Sequence, residues 1–233
     1  PSNSGTGSKT ESIAVVDCLA DAGYTGSGSS VAACALGKYK VAEASALACT
    51  DCPSHSGTGS DSGSAALNDC LADAGYTGSG SSVAACASGT YKETAASAMA
   101  CTGCPSNSGT GSDTASTTMT DCIADAGFFI PTGGRPTSCT SCPANSGTGS
   151  RTGSTSKADC KADSGYTGEG GSVTACEAGT YKNIAVSAAA CSKCEKGKYA
   201  PIDASRVCVD CGAGTFSAHV ASRACDKCPS GKS

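Results

Sequence analysis

Residues 49–60 read CTDCPSHSGTGS, a Cys-x-x-Cys pair followed by eight residues that carry no recurring acid, base or metal ligand. The phrase returns as CTGCPSNSGTGS at 101–112 and CTSCPANSGTGS at 139–150, and the chain opens on its second half, PSNSGTGS, at 1–8. Cutting after each Cys-x-x-Cys gives cysteine-rich units 1–52, 53–104, 105–142 (shortened), 143–194, 195–211 and 212–228 (both short), with 229–233 starting another. Units 1 and 2 share DCLADAGYTGSGSSVAACA letter for letter (17–35 and 69–87), and unit 4 has it as DCKADSGYTGEGGSVTACE (159–177). Unit 3 departs. After DCIADAG (121–127) it runs FFIPTGGRPTSC (128–139), without the middle cysteine and the GTYK phrase. Self-similarity at a fixed period predicts an architecture in which each unit touches mainly its neighbours and the whole grows as an elongated rod.

Composition says what must hold such units together. Of the 39% hydrophobic residues, 39 are Ala and 19 are Cys, while Leu, Ile, Val and Phe come to 23 of 233. That is half the ~20% below which a chain is suspected of disorder. At ~25 cal/mol per Å² of apolar area, Ala and a few Val do not offset the entropy of ordering the backbone. Disulfides that close loops of about 15 residues contribute ~3 kcal/mol each in the chain-entropy model. The expectation is therefore a small disulfide-rich repeat fold, mostly coil with short β-hairpins. Its location would be extracellular or on the cell surface, because disulfides persist in oxidising compartments. A net charge of −4 offers no basic face to nucleic acid. No apolar run reaches the ~20 residues of a membrane span.

Gly and Ser tracts such as SGTGS and YTGSGSS read as turns. DCLADAG reads as a single helical turn, with Asp17 near its start and Gly23 closing it. The GKYK and GTYK phrases read as short strand pairs that begin at a glycine turn.

Spacing alone does not fix cysteine connectivity, but the short units constrain it. They hold one loop between successive Cys-x-x-Cys pairs, which makes Cys194–Cys208 and Cys211–Cys225 the simplest bridges. The same rule gives Cys34–Cys49, Cys86–Cys101 and Cys176–Cys191 in the full units. The remainder then pair across the SGTGS segment as Cys52–Cys70, Cys104–Cys122 and Cys142–Cys160. Cys18, Cys139 and Cys228 are left over. Cys18 asks for a cysteine before Pro1 and Cys228 for one beyond Ser233, whereas Cys139 lost its partner with the deletion in unit 3. It is either an intermolecular joint or a free or re-paired thiol, with Cys122 as the local alternative.

Other chemistries are weaker. Cys191, Cys194, Cys208 and Cys211 have near zinc-ribbon spacing, but Cys225 and Cys228 follow at the same interval and would compete. Asp17 and Asp21, with their counterparts Asp69 and Asp73, Asp121 and Asp125, Asp159 and Asp163, supply two carboxylates per turn, few for Ca²⁺. Capping is the simpler role for them. His55 and His219 read as solvated loop residues in non-equivalent places. GTGS and GSGSS lack the P-loop lysine. No catalytic residue, cofactor or metal is therefore expected. Ser and Thr of SGTGS, DTASTTMT and RTGSTSK are candidate O-glycan acceptors. Tyr39, Tyr91, Tyr181, Tyr199 and Phe216 share one loop position and read as packing on a disulfide. Phe128, Phe129 and Ile130 are either an interface or the filling of the gap left in unit 3.

The phrases CALGKYKVAEASALACTDCP, CASGTYKETAASAMACTGCP and CEAGTYKNIAVSAAACSKC resemble the Cys-x-x-Gly-(Lys/Thr)-Tyr…Cys-x-x-Cys modules of tumour-necrosis-factor-receptor and ephrin-receptor-like cysteine-rich repeats. Such arrays are similar to those of large surface proteins of algae and other protists. The resemblance covers 34–52, 86–104, 176–194 and 194–228, and unit 3 departs from it. It implies an extracellular, disulfide-laddered stalk. The chain reads as a non-enzymatic structural segment of an extracellular filament, mastigoneme-like flagellar hair or surface coat, whose partners are other copies or other fibre and coat proteins. The alternative is the stalk of a receptor or adhesin.

Overall fold

The computed structural model describes residues 1–229, so the further unit expected at 229–233 lies, apart from Pro229, outside the described residues. Among the described residues the strands are two residues long and pair antiparallel into thirteen two-stranded sheets, accompanied by seven single turns of 3₁₀ helix. Pairs this short are marginal in water and need another source of stability. The expected architecture of small disulfide-rich repeats, mostly coil with short hairpins, is the one observed. The chain divides into two compact units, Pro1–Cys104 with Gly109–Cys122, and Pro105–Ser108 with Ile123–Ser233.

In the first compact unit, residues 53–104 show the full set of hairpins. A joint hairpin pairs Ser56–Gly57 with Leu71–Ala72, and Cys52–Cys70 ties its base. A middle hairpin pairs Tyr76–Thr77 with Ala84–Ala85 and has no bridge of its own. A third hairpin pairs Thr90–Tyr91 with Thr102–Gly103 and is closed by Cys86–Cys101. Residues 1–52 repeat the pattern, with Tyr24–Thr25 against Ala32–Ala33 and Lys38–Tyr39 against Thr50–Asp51.

The second compact unit repeats the full set from Ser146 to Lys193. Two further hairpins of the third kind follow, Lys198–Tyr199 with Val209–Asp210 and Thr215–Phe216 with Asp226–Lys227. Its first part differs. Phe128–Phe129 pairs with Thr140–Ser141, and Phe129 faces Thr140 as Tyr91 faces Thr102. The phrase GFFI at 127–130 therefore occupies the place of GTYK. What unit 3 lacks is the middle hairpin.

Eight disulfides span Cα separations of 5.6–5.8 Å and join Cys34 to Cys49, Cys52 to Cys70, Cys86 to Cys101, Cys104 to Cys122, Cys142 to Cys160, Cys176 to Cys191, Cys194 to Cys208 and Cys211 to Cys225. Cys18, Cys139 and Cys228 carry free thiols. The core is made of these sulfurs and of alanine. Cys34, Cys70, Cys86, Cys122, Cys160, Cys176 and Cys194 are fully buried, as are Ala20, Ala72, Ala124, Ala162 and Ala200. Leu47, Met99 and Ile184, by contrast, lie exposed.

The helical turn expected at DCLADAG is not there. The 3₁₀ turn lies just upstream, at Val15–Asp17 and Leu67–Asp69, and the following Leu-Ala is a strand. The carboxylate decides this by reaching backwards. Asp69 Oδ2 accepts from the amides of Ala65 and Ala66, both at 2.9 Å, which closes the turn before the cysteine. Gly23 and Gly75 instead turn the chain into the middle hairpin.

Candidate functional site

The feature that organises each full repeat is a buried lysine. Lys40, Lys92 and Lys182, the last residues of the GKYK and GTYK phrases, are each only 4% exposed. Lys92 Nζ donates to the carbonyls of Ala72 (3.1 Å), Asp73 (3.1 Å), Tyr76 (2.6 Å) and Ser97 (2.7 Å). Lys40 Nζ reaches Ala20 O at 3.0 Å and Tyr24 O and Ser45 O at 2.6 Å. Lys182 Nζ reaches Ala162 O at 3.1 Å, Tyr166 O at 2.7 Å and Ser187 O. Each ammonium thus fastens the start of the middle hairpin to the loop of the third. Burial pushes these lysines below the usual lysine value, and the nearby Asp21, Asp73 or Asp163 offsets part of that.

The backbone of the same residue continues the ladder. Gly75 N donates to Lys92 O at 2.8 Å, and Lys92 N donates to Ser116 O at 3.1 Å. Ile130 N to Ser154 O (2.9 Å) and Ala200 N to Ser222 O (3.0 Å) are the same bond where no middle hairpin precedes the third. The side chain there is Ile or Ala. Lysine is present where there is a middle hairpin to hold, and only there among these five hairpins.

The SGTGS phrase is the joint between one hairpin and the next. Its threonine is buried, and in Thr110 the hydroxyl accepts from Gly89 N at 2.8 Å and donates to Asp113 O at 2.6 Å. Thr58 does the same with Gly37 N and Asp61 O, and Thr148 with Gly127 N and Arg151 O. These hydroxyls are committed inside the fold, so Thr58, Thr110 and Thr148 are not acceptors for sugar. Asn3, His55, Asn107 and Asn145 hold one left-handed turn position at φ of 57–63°. Asn tolerates that conformation. His55 was expected to be a solvated loop residue and is exposed, yet its ring stacks on Tyr76 with centroids 4.0 Å apart.

The cysteines at zinc-ribbon spacing are held in separate disulfides, Cys191 with Cys176, Cys194 with Cys208 and Cys211 with Cys225. Among the described residues no three His, Cys, Asp or Glu side chains converge as a ligand set. Of the aspartate pairs, Asp69, Asp121 and Asp159 spend a carboxylate oxygen on backbone amides. The Thr118 amide is the main cause that holds Asp121 below the ordinary carboxylate value. Hollows beside Tyr181 and Lys198 (about 270 Å³) and beside Tyr91 and Met99 (about 160 Å³) are smaller than the ~300–1,000 Å³ that buries a small-molecule ligand. The repeat fold and this chemistry support a non-catalytic, structural role.

Unit 3 holds the irregularity. Phe129 is 6% exposed and Phe128 and Ile130 are half-buried, so the aromatic pair is largely consumed in its own hairpin. Cys139 stands where Cys101 stands in unit 2, with Sγ donating to Pro136 O at 3.1 Å. Burial pushes its thiol pKa up, Asp125 adds to that, and a hydrogen bond with Ser108 works against it. The place of its missing partner is identifiable. Gly153 N donates to Ala124 O at 2.7 Å, as Ala115 N donates to Cys86 O and Gly63 N to Cys34 O. Ala124 therefore sits where the partner cysteine would be.

No curated protein matches the chain. Residues 197–233 match the family described as tyrosine-protein kinase ephrin type A/B receptor-like, so this short segment is similar to a cysteine-rich module of that kind.

Proposed function

We propose that the chain is a structural segment of an extracellular filament, mastigoneme-like flagellar hair or surface coat, with units 1–52, 53–104, 105–142, 143–194, 195–211 and 212–228 as its modules. The observation that carries this reading is the use of disulfides, alanine and clamped lysines in place of a core or a site. A chain built this way resists extension and proteolysis and presents no binding anchor, since aromatic and Arg hot spots are scarce on it. The cysteine-rich fold is consistent with an extracellular or cell-surface location, and no helix among the described residues is long and apolar enough to cross a membrane. The partners are other copies or other fibre and coat proteins, with O-linked sugar on exposed Ser and Thr.

Antibody-gold electron microscopy of native material tests the proposal. Label running along a fibre or spread through a coat supports it. Isolated label on single membrane-tethered molecules favours the second reading, a receptor or adhesin stalk. One observation speaks for that alternative: Phe129, the candidate interface anchor, is buried in its own hairpin.

A further inference from the structure

Tension along a cross-linked chain bypasses the backbone enclosed by each disulfide. Between successive bridged loops, three long stretches remain outside any cross-link: 71–85, 123–141 and 161–175. Two of them hold middle hairpins fastened by Lys92 and Lys182. Each is also tied at both ends. Gly80 N donates to Cys70 O and Cys86 N to Gly75 O in the first, and Gly170 N to Cys160 O and Cys176 N to Gly165 O in the other.

The stretch 123–141 has no lysine clamp, and it is tied only through backbone bonds such as Cys142 N to Gly127 O (2.9 Å) and Gly153 N to Ala124 O (2.7 Å). Among the described residues its hairpin is the only one of the third kind without a cystine, Ile130 replaces the lysine, and Ser154 Oγ, in the residue whose carbonyl receives the Ile130 amide, is buried without a hydrogen-bond partner. An unpaired buried hydroxyl subtracts from local stability. We propose that, of the stretches between bridged loops, residues 123–141 are the yielding link, the segment that opens first under load and uncovers the Cys139 thiol as it does so. The ordering of local stabilities holds whether the chain supports a filament or a stalk.

The released length identifies the segment. Opening between Cys122 and Cys142 frees roughly 70 Å of contour, less the folded span, against roughly 55 Å for each middle-hairpin stretch. Single-molecule pulling of the oxidised chain through handles at the exposed Asp51 and Ser192, which leaves the uncross-linked residues 1–33 unloaded, should show the longer step at the lowest force. Ala124→Cys, once mass spectrometry shows it bridged to Cys139, should lose that step and keep the others, which also shows that the variant folds. A lowest-force step of the shorter length, or survival of the long step in the bridged variant, overturns the proposal. Hydrogen exchange on the unaltered chain gives an independent reading. The amides of Ile130 and Cys142 should exchange at least ~10-fold faster than those of Gly75, Cys86, Gly165 and Cys176. Equal or slower exchange at Ile130 and Cys142 overturns it as well.

Discussion

Lys92→Met is the sharpest perturbation of the repeat, because it keeps the length of the side chain and removes the donor. Four carbonyls surround Nζ, and two of them have other bonds: Ala72 O also receives the Ser97 amide and Asp73 O the Tyr76 amide. The loss falls on Tyr76 O and Ser97 O, at 2.6 and 2.7 Å from Nζ. Hydrogen bonds to a charged group contribute ~1.5–3 kcal/mol each, and methionine recovers part of this by avoiding the burial of a charge. A net cost of about 2–4 kcal/mol is expected, concentrated where the lysine fastens the middle hairpin. Amide exchange of Gly75 and Cys86, measured with all disulfides intact, should accelerate roughly 30- to 800-fold, while the amide of Cys104, which donates to Gly89 O in the hairpin closed by Cys86–Cys101, stays protected. Acceleration below ~3-fold at Gly75 and Cys86 would mean that the ammonium is not what holds the middle hairpin.

Three smaller perturbations follow from the same geometry. Gly75→Ala meets both a left-handed φ of +80° and a Cβ position 2.4 Å from Ala115 O, whereas Gly89→Ala has φ +76° and no neighbour within 4 Å. Gly89→Ala should cost ~1 kcal/mol in denaturant unfolding and Gly75→Ala at least twice that, and equal costs would refute the close backbone approach. Thr110→Val removes the hydroxyl that pairs Gly89 N with Asp113 O and should cost ~1–3 kcal/mol, seen as faster exchange of Gly89; an unchanged rate contradicts the joint. Asp121 titrates below the ordinary carboxylate value because the folded state stabilises its charge. Its contribution is therefore present above the unfolded value of ~3.9 and disappears as pH falls through the lower folded value. An NMR titration of its carboxyl that ends at or above ~3.9 contradicts the Thr118 and Thr117 bonds.

Much of the fold was legible because its cause is compositional. With 23 large aliphatic and Phe residues in 233, covalent staples had to replace a core, and the glycine before Tyr39 or Tyr91 marks a hairpin whose strands the structure contains. The clamp was not legible. Lys92 ends a phrase that looks solvated, and its partners are backbone carbonyls, which leave no side-chain signature. One signal was available: Lys follows Tyr in units 1, 2 and 4, while Ile130, Ala200 and Ser217 take that place where the YTGxGxS segment is missing. Unit 3 was misread for a related reason. Its GFFI shares only glycine with GTYK, so the deleted part looked like the hairpin rather than the segment ahead of it. The Asp17-to-Gly23 turn misled because a capping carboxylate was read forwards along the chain, whereas Asp69 and Asp121 bond to amides behind them.

The account rests on a disulfide ladder in which each bridge closes a neighbouring loop. Non-reducing peptide mapping of the native protein by mass spectrometry tests it directly. The account predicts linked peptides for Cys34–Cys49, Cys86–Cys101 and Cys176–Cys191 at a separation of 15 residues, and for Cys52–Cys70, Cys104–Cys122 and Cys142–Cys160 at 18, with Cys139 bonded to no other cysteine of its own chain. Bridges inside a Cys-x-x-Cys pair, or a Cys122–Cys139 link, would contradict it.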